Sequence, residues 1–183
     1  MTVLVLGVGH PDRGDDAAGP LVAAALEDVE GLEALAVTAD PSAILTEPLW
    51  DRADRVYLVD TVCTGARPGT VHRWSGARLV EHLPATGGGT HDLGVATTLQ
   101  LAAALGRLPE DLTVIGIEAG CCEVGRPPSR PVRHAVAIVA AALAREAGAG
   151  TTEVDALQVA VRVRGLEVSV RAGERRHVRL GEG

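Results

Sequence analysis

The chain has 183 residues, 46% of them hydrophobic and 22% charged, with no Phe, one Tyr and two Trp. One domain with a largely aliphatic core is the natural reading at that length, and a formal net charge of −7 argues against nucleic acid or an anionic membrane as the main partner. No apolar run approaches the ~20 residues of a membrane span, and the chain enters a strand pattern with no signal-peptide regions before it, so a cytoplasmic protein is expected.

The first twenty residues, MTVLVLGVGHPDRGDDAAGP, carry an apolar strand over 3–6, Gly7 and Gly9, the paired carboxylates Asp15 and Asp16, and a helix over 17–28. Strand, glycine loop and helix is also the order of a dinucleotide cradle, whose helix start receives phosphate. Here two aspartates would repel a diphosphate and occupy the N–H donors themselves. The next glycine after Gly9 is Gly14, so G-x-G-x-x-G is not met. The loop is built to present carboxylates. Asp15 reads as the N-cap of the first helix, which leaves Asp16 for other work.

Further strands are predicted over 32–37, 56–59 and 114–117, and helices over 42–49, 91–105 and 131–147. The last has Ser129 or Arg130 as its cap and Pro131 in its first turn. The near-continuous apolarity of VLVL and VYLV fits strands buried on both faces. A strand over 70–74 follows strand three after a turn too short for a parallel crossover, so it runs antiparallel to its predecessor. The fold class predicted is α/β: a three-layer α/β/α domain on a mostly parallel sheet of about five strands, one of them antiparallel. Beyond residue 150, Val159, Val161 and Val163, then Leu166, Val168 and Val170, alternate on either side of Arg164-Gly165. This predicts a β-hairpin, with a third short strand over 177–180. The division is a domain over 1–150 and an extension over 151–183, packed on it or flexible.

In open α/β sheets, ligands bind beyond the carboxyl ends of the strands. Three groups converge there. Asp16 follows strand one, Asp60 closes the run ValTyrLeuValAsp, and His91 follows a triple glycine and Thr90 to begin a helix. A helix start favours the neutral, metal-binding imidazole. Carboxylate oxygens with one imidazole suit a borderline divalent ion such as nickel, zinc or cadmium. Singly, Asp60 reads as a turn residue at a strand end and His91 as a solvated loop histidine; their convergence on one edge is what points to a site. Cys63, Cys121 and Cys122 are odd in number, with two adjacent, which is not a disulfide framework. No histidine has a motif-like relation to Cys63, a vicinal pair lacks zinc-site spacing, and there is no G-x-S-x-G elbow.

The stretch GlyValGlyHisProAspArgGlyAspAspAlaAlaGlyPro resembles the N-terminal signature of the [NiFe]-hydrogenase maturation proteases. The resemblance continues, in order and spacing, through residues 59–71, 88–94, 108–118 and 125–136, and covers about residues 1–147. It implies an endopeptidase of aspartic type that trims the C-terminal peptide of a hydrogenase large-subunit precursor. It also implies that Asp16, Asp60 and His91 are both the catalytic and the metal-contacting residues. No tightly bound cofactor is expected: nickel arrives with the substrate precursor, although other divalent ions fit the same site. The expected partner is that precursor, with no nucleic acid and no membrane, acting on a monomer or weak dimer. The family usually has Asn where this chain has His10, which either donates an equivalent hydrogen bond or adds a ligand. The loop over 38–42 lacks the Gly-Thr pattern expected after strand two. A non-catalytic metal-binding or metal-delivery module using the same Asp/His cleft is the alternative, and a nucleotide-dependent α/β enzyme ranks below it.

Overall fold

In the computed structural model, which describes residues 1–38, 41–46, 49–83, 93–148, 158–163 and 166–171, the buried apolar runs become the middle of one sheet. Strand β1 (Val3–Val8) is buried at every position. It lies between β2 (Leu32–Val37) and β3 (Arg55–Val62), parallel to both, and β3 pairs in parallel with β5 (Leu112–Glu118). β4 (Val71–Ser75) completes the sheet antiparallel to β5, giving the order β2-β1-β3-β5-β4. The direction of β4 is as the short turn predicts. Its hydrogen-bonding partner is β5 rather than its predecessor β3, so the turn after β3 spans one strand position.

Alternation along the strands sorts the core into two layers. Val3, Val5, Tyr57, Val59, Ile115 and Ile117 face α1 (Ala18–Ala25) and α5 (Arg130–Glu146). Leu4, Leu6, Val56, Leu58 and Val114 face the other way, against Ile44, Leu45, Trp50 and Leu99. Ile44 and Leu45 bring α2 (Ala43–Thr46) to that face, Leu79 and Val80 bring α3 (Gly76–His82), and Leu99 brings α4 (Leu93–Ala104). The architecture is the three-layer α/β/α arrangement expected. The helix α3 has no counterpart among the predicted elements, and α2 is shorter than 42–49. β6 (Gln158–Val163) and β7 (Leu166–Arg171) form the expected antiparallel hairpin, which lies against α1 and α5. The third strand expected over 177–180 falls outside the described residues.

Helix α1 approaches the sheet more closely than side chains permit. A Cβ on Gly19 would overlap the carbonyl oxygens of Val8 and Val59, and one on Gly7 would overlap the carbonyl oxygen of Gly19. The start of α1 is thereby pressed into the crease between the ends of β1 and β3. At the opposite end of the same face, Tyr57 donates to Glu146 Oε2 at 2.5 Å. Arg73 donates from both terminal nitrogens to the two Glu146 oxygens at 2.6 and 2.7 Å. The Arg73 guanidinium, with Tyr57 adding to it against the opposing effect of burial, holds the Glu146 carboxyl at about 2.

Because Gly19 has no room for a methyl, Gly19→Ala is expected to destabilise the fold by about 3 kcal/mol, read as a lower midpoint in urea unfolding. A depressed carboxyl pKa favours the folded state above the ordinary value of 4.5 and loses that advantage as pH falls towards about 2. Between those limits the stability of Glu146→Gln should therefore fall less steeply with acid than that of the wild type, measured by thermal melting across the pH series.

Candidate active site

The paired aspartates after β1 have separate duties. Asp15 is fully buried. Its Oδ2 accepts N–H groups from Gly120 at 2.7 Å and Cys121 at 3.0 Å, and its Oδ1 accepts the Ser129 N–H at 2.5 Å. The Asp15 N–H in turn donates to Cys121 O at 2.8 Å, and Thr61 Oγ1 donates to Asp15 O at 3.2 Å. The expectation that Asp15 caps the first helix is therefore corrected. Ser129 occupies the N-cap position of α5, and the Asp15 carboxylate takes its N–H from 114 residues away in sequence. The chain after Arg13 instead makes a 3-10 turn, Gly14–Ala17, and neither that turn nor α1 has a side-chain cap. Two further main-chain bonds, Gly14 N–H to Arg126 O at 3.1 Å and Gly125 N–H to Asp12 O at 2.7 Å, lace this turn to the loop between β5 and α5.

Asp16 is half-buried, and its Oδ2 accepts the main-chain N–H of His10 at 3.1 Å. The question raised by His10 is answered in part. Its backbone supplies the hydrogen bond to Asp16, while the exposed ring accepts the Asp12 N–H on Nδ1 at 3.2 Å, which puts the proton of a neutral ring on Nε2. Asp60 is half-buried within β3 and accepts the Thr61 N–H at 2.7 Å. Gly7 pairs with Val59, so Asp60 is level with the end of β1. By alternation Asp60 shares the face of Val56 and Leu58, the side of α4, whereas Thr61 turns to the side of Asp15. His91 lies outside the described residues. The described part of α4 begins at Leu93, and Gly94 packs on Pro41 in the loop beyond β2, at the same carboxyl edge of the sheet.

A second buried carboxylate closes the neighbouring loop. Glu118, at the end of β5 and 2% exposed, accepts from Thr64 N–H and Oγ1 at 2.7 and 2.8 Å, from Gly65 N–H at 2.8 Å, and lies 3.2 Å from His72 Nε2. Burial pushes its pKa up, and the bonds from Thr64, Gly65 and His72 outweigh that and hold it below the usual glutamate value. Both carboxylate oxygens are engaged by Thr64, Gly65 and His72. Burial pushes the Cys122 thiol up to about 11, with the charges of Asp16, Cys63 and Asp15 adding to the effect. A thiol so strongly protonated is a poor nucleophile. Among the described residues no three His, Cys, Asp or Glu side chains are grouped to hold a metal ion.

The HycI hydrogenase maturation protease model matches residues 42–146. The chain belongs to the hydrogenase maturation protease family. Solved maturation proteases agree in fold. The HybD protease of Thermococcus kodakarensis superposes with a TM-score of 0.65 at 27% identity, over 80% of this chain and 99% of that one. The HycI protease of Thermococcus kodakarensis KOD1 gives 0.65 at 22%, over 79% and 90%. An endopeptidase from Escherichia coli gives 0.57 at 26%, over 81% and 95%. A comparison with curated proteins gave no match. The span matched by the maturation protease model contains Asp60 and His91, while Asp16 precedes it. Among the described residues no helix is long and apolar enough to cross a membrane.

Sequence reasoning picked out Asp16 and Asp60 at this edge and missed the clamping roles of Asp15 and Glu118, whose main-chain N–H partners are 53 or more positions away. Hydrogen bonds to a buried charge contribute roughly 1.5–3 kcal/mol each. Asp15→Asn, which removes the charge and turns an amide against a donor, should therefore cost about 3 kcal/mol or more in urea unfolding. Asp16→Asn, with one exposed-side bond, should stay within about 1 kcal/mol of wild type.

Proposed function

We propose that this protease removes the C-terminal peptide of a nickel-loaded [NiFe]-hydrogenase large-subunit precursor, and that Asp16, Asp60 and His91 act on that substrate. The observation that carries this reading is the position of Asp60. It lies level with the end of β1, on the face covered by α4, with Asp16 beyond the same edge and His91 two residues before the described start of α4. In this reading the nickel belongs to the substrate. Two carboxylates and an imidazole offer it oxygen and nitrogen donors suited to a borderline ion, and contact with it brings the scissile bond to Asp60. A carboxylate in this position takes a proton from water as the water oxygen adds to the scissile carbonyl carbon. The proton then passes to the amide nitrogen as the C–N bond breaks.

Asp60→Asn keeps the shape and loses the base. It should lower the cleavage rate by at least about 100-fold while leaving the fold intact by circular dichroism. The decisive assay follows the intact mass of nickel-loaded precursor with the wild-type protein, with metal-free precursor as control. Loss of a C-terminal peptide from the nickel-loaded form alone is the expected result. No mass change with cognate precursors would favour the metal-delivery module, and unchanged cleavage by Asp60→Asn would remove Asp60 from the mechanism.

A further inference from the structure

Among the described residues strand β4 ends the sheet, and its outer edge has a definite pattern. Glu118 accepts the Gly69 N–H at 2.8 Å and donates to Thr70 O at 2.9 Å. With Gly69 at φ +83°, this is a bulge in which Gly69 and Thr70 together oppose Glu118. Hydrogen-bonded pairs alternate along an antiparallel ladder. The next bonded pairs are therefore His72 with Gly116 and Trp74 with Val114. It follows that the N–H and C=O of Val71 and Arg73 and the N–H of Ser75 point away from β5, and among the described residues no other strand pairs with β4.

At the Ser75 end of this edge a cavity of about 530 Å³ opens between β4 and α3, lined by Arg73, Trp74, Ser75, Arg78, Leu79 and His82. Every ionisable group in its wall is basic, in a chain of net charge −7. Arg73 is committed to Glu146. Arg78 and His82 are exposed on successive turns of α3, and His82 Nδ1 meets Arg78 O at 2.7 Å, which turns Nε2 outward.

We propose that this edge receives an extended acidic segment of the precursor as an added strand, its carboxylates in the Arg78–His82 cavity and its other end at the carboxyl edge of the sheet. The inference rests on the endopeptidase reading above. The geometry supplies the reach: β4 has five residues, about 17 Å of strand, running from the cavity to Val71. His72, Gly116 and Asp60 form one row across the sheet, with two strand spacings, about 10 Å, between His72 and Asp60. A segment held along β4 is thus tethered beside the site without touching it.

The test uses full-length protein carrying Asp60→Asn, so that cleavage does not intrude, and follows binding of dye-labelled nickel-loaded precursor by fluorescence anisotropy. Adding Arg78→Glu with His82→Glu should weaken binding about tenfold or more. Binding to the parent should also weaken as salt rises from about 0.05 to 0.3 M. Val71→Pro removes an outward N–H that β5 does not use, and should weaken binding with the charges intact; melting temperatures verify that both variants are folded. Binding of both variants within about twofold of the parent, or no binding to the parent, overturns the inference. The intact-mass assay on wild type reports separately. Cleavage with unaltered variant binding refutes the docking edge alone, and Arg78-dependent binding without cleavage refutes the endopeptidase reading alone.

Discussion

The buried carboxylate of Asp15 is the constraint on which the carboxyl edge depends. A charge with no solvent is tolerable only when main-chain donors surround it. Here the donors come from Gly120, Cys121 and Ser129, so the turn after β1, the loop after β5 and the start of α5 have to assemble together or not at all. Glu118 repeats the device one loop further along, with Thr64 and Gly65 as donors. Two acids spent inside the protein hold rigid the loops from which Asp16 and the end of β3 emerge.

This division explains a doubled aspartate where capping needs one. Asp15 faces inward and loses its solvent, while its neighbour keeps partial exposure and a single bond from the His10 main chain. The same alternation operates on β3, where Thr61 reaches Asp15 and Asp60 falls on the opposite face. Near this edge Gly7 and Gly19 let two backbones touch.

The parallel strands were legible because a strand buried on both faces must be apolar at every position, as VLVL and VYLV are. Lateral order was not legible. β4 pairs with a strand more than thirty residues later in the chain, and nothing local in residues 71–75 specifies that. α3 escaped because a seven-residue helix gives too few turns for a periodic pattern. Helix α1 starts within one residue of the expected position, but a 3-10 turn precedes it in place of a capped start, because both nearby carboxylates are engaged elsewhere. The chemical types at Asp16 and Asp60 could be read directly. The role of Asp15 could not, since its partners become neighbours only after the whole sheet has formed.

The distribution of aromatic residues gives the two helical layers different optical visibility. Trp50 is 2% exposed and Trp74 packs against the same cluster, on the side of α2, α3 and α4. No tryptophan lies in the layer between the sheet and α1 and α5. Selectively excited tryptophan emission therefore watches one half of the molecule. The layer that contains the long helix α5 is silent in that signal and visible in far-ultraviolet dichroism. Coincident transitions by the two probes would mean that the sheet couples its faces into one cooperative unit, and separated ones that the layers come apart in turn.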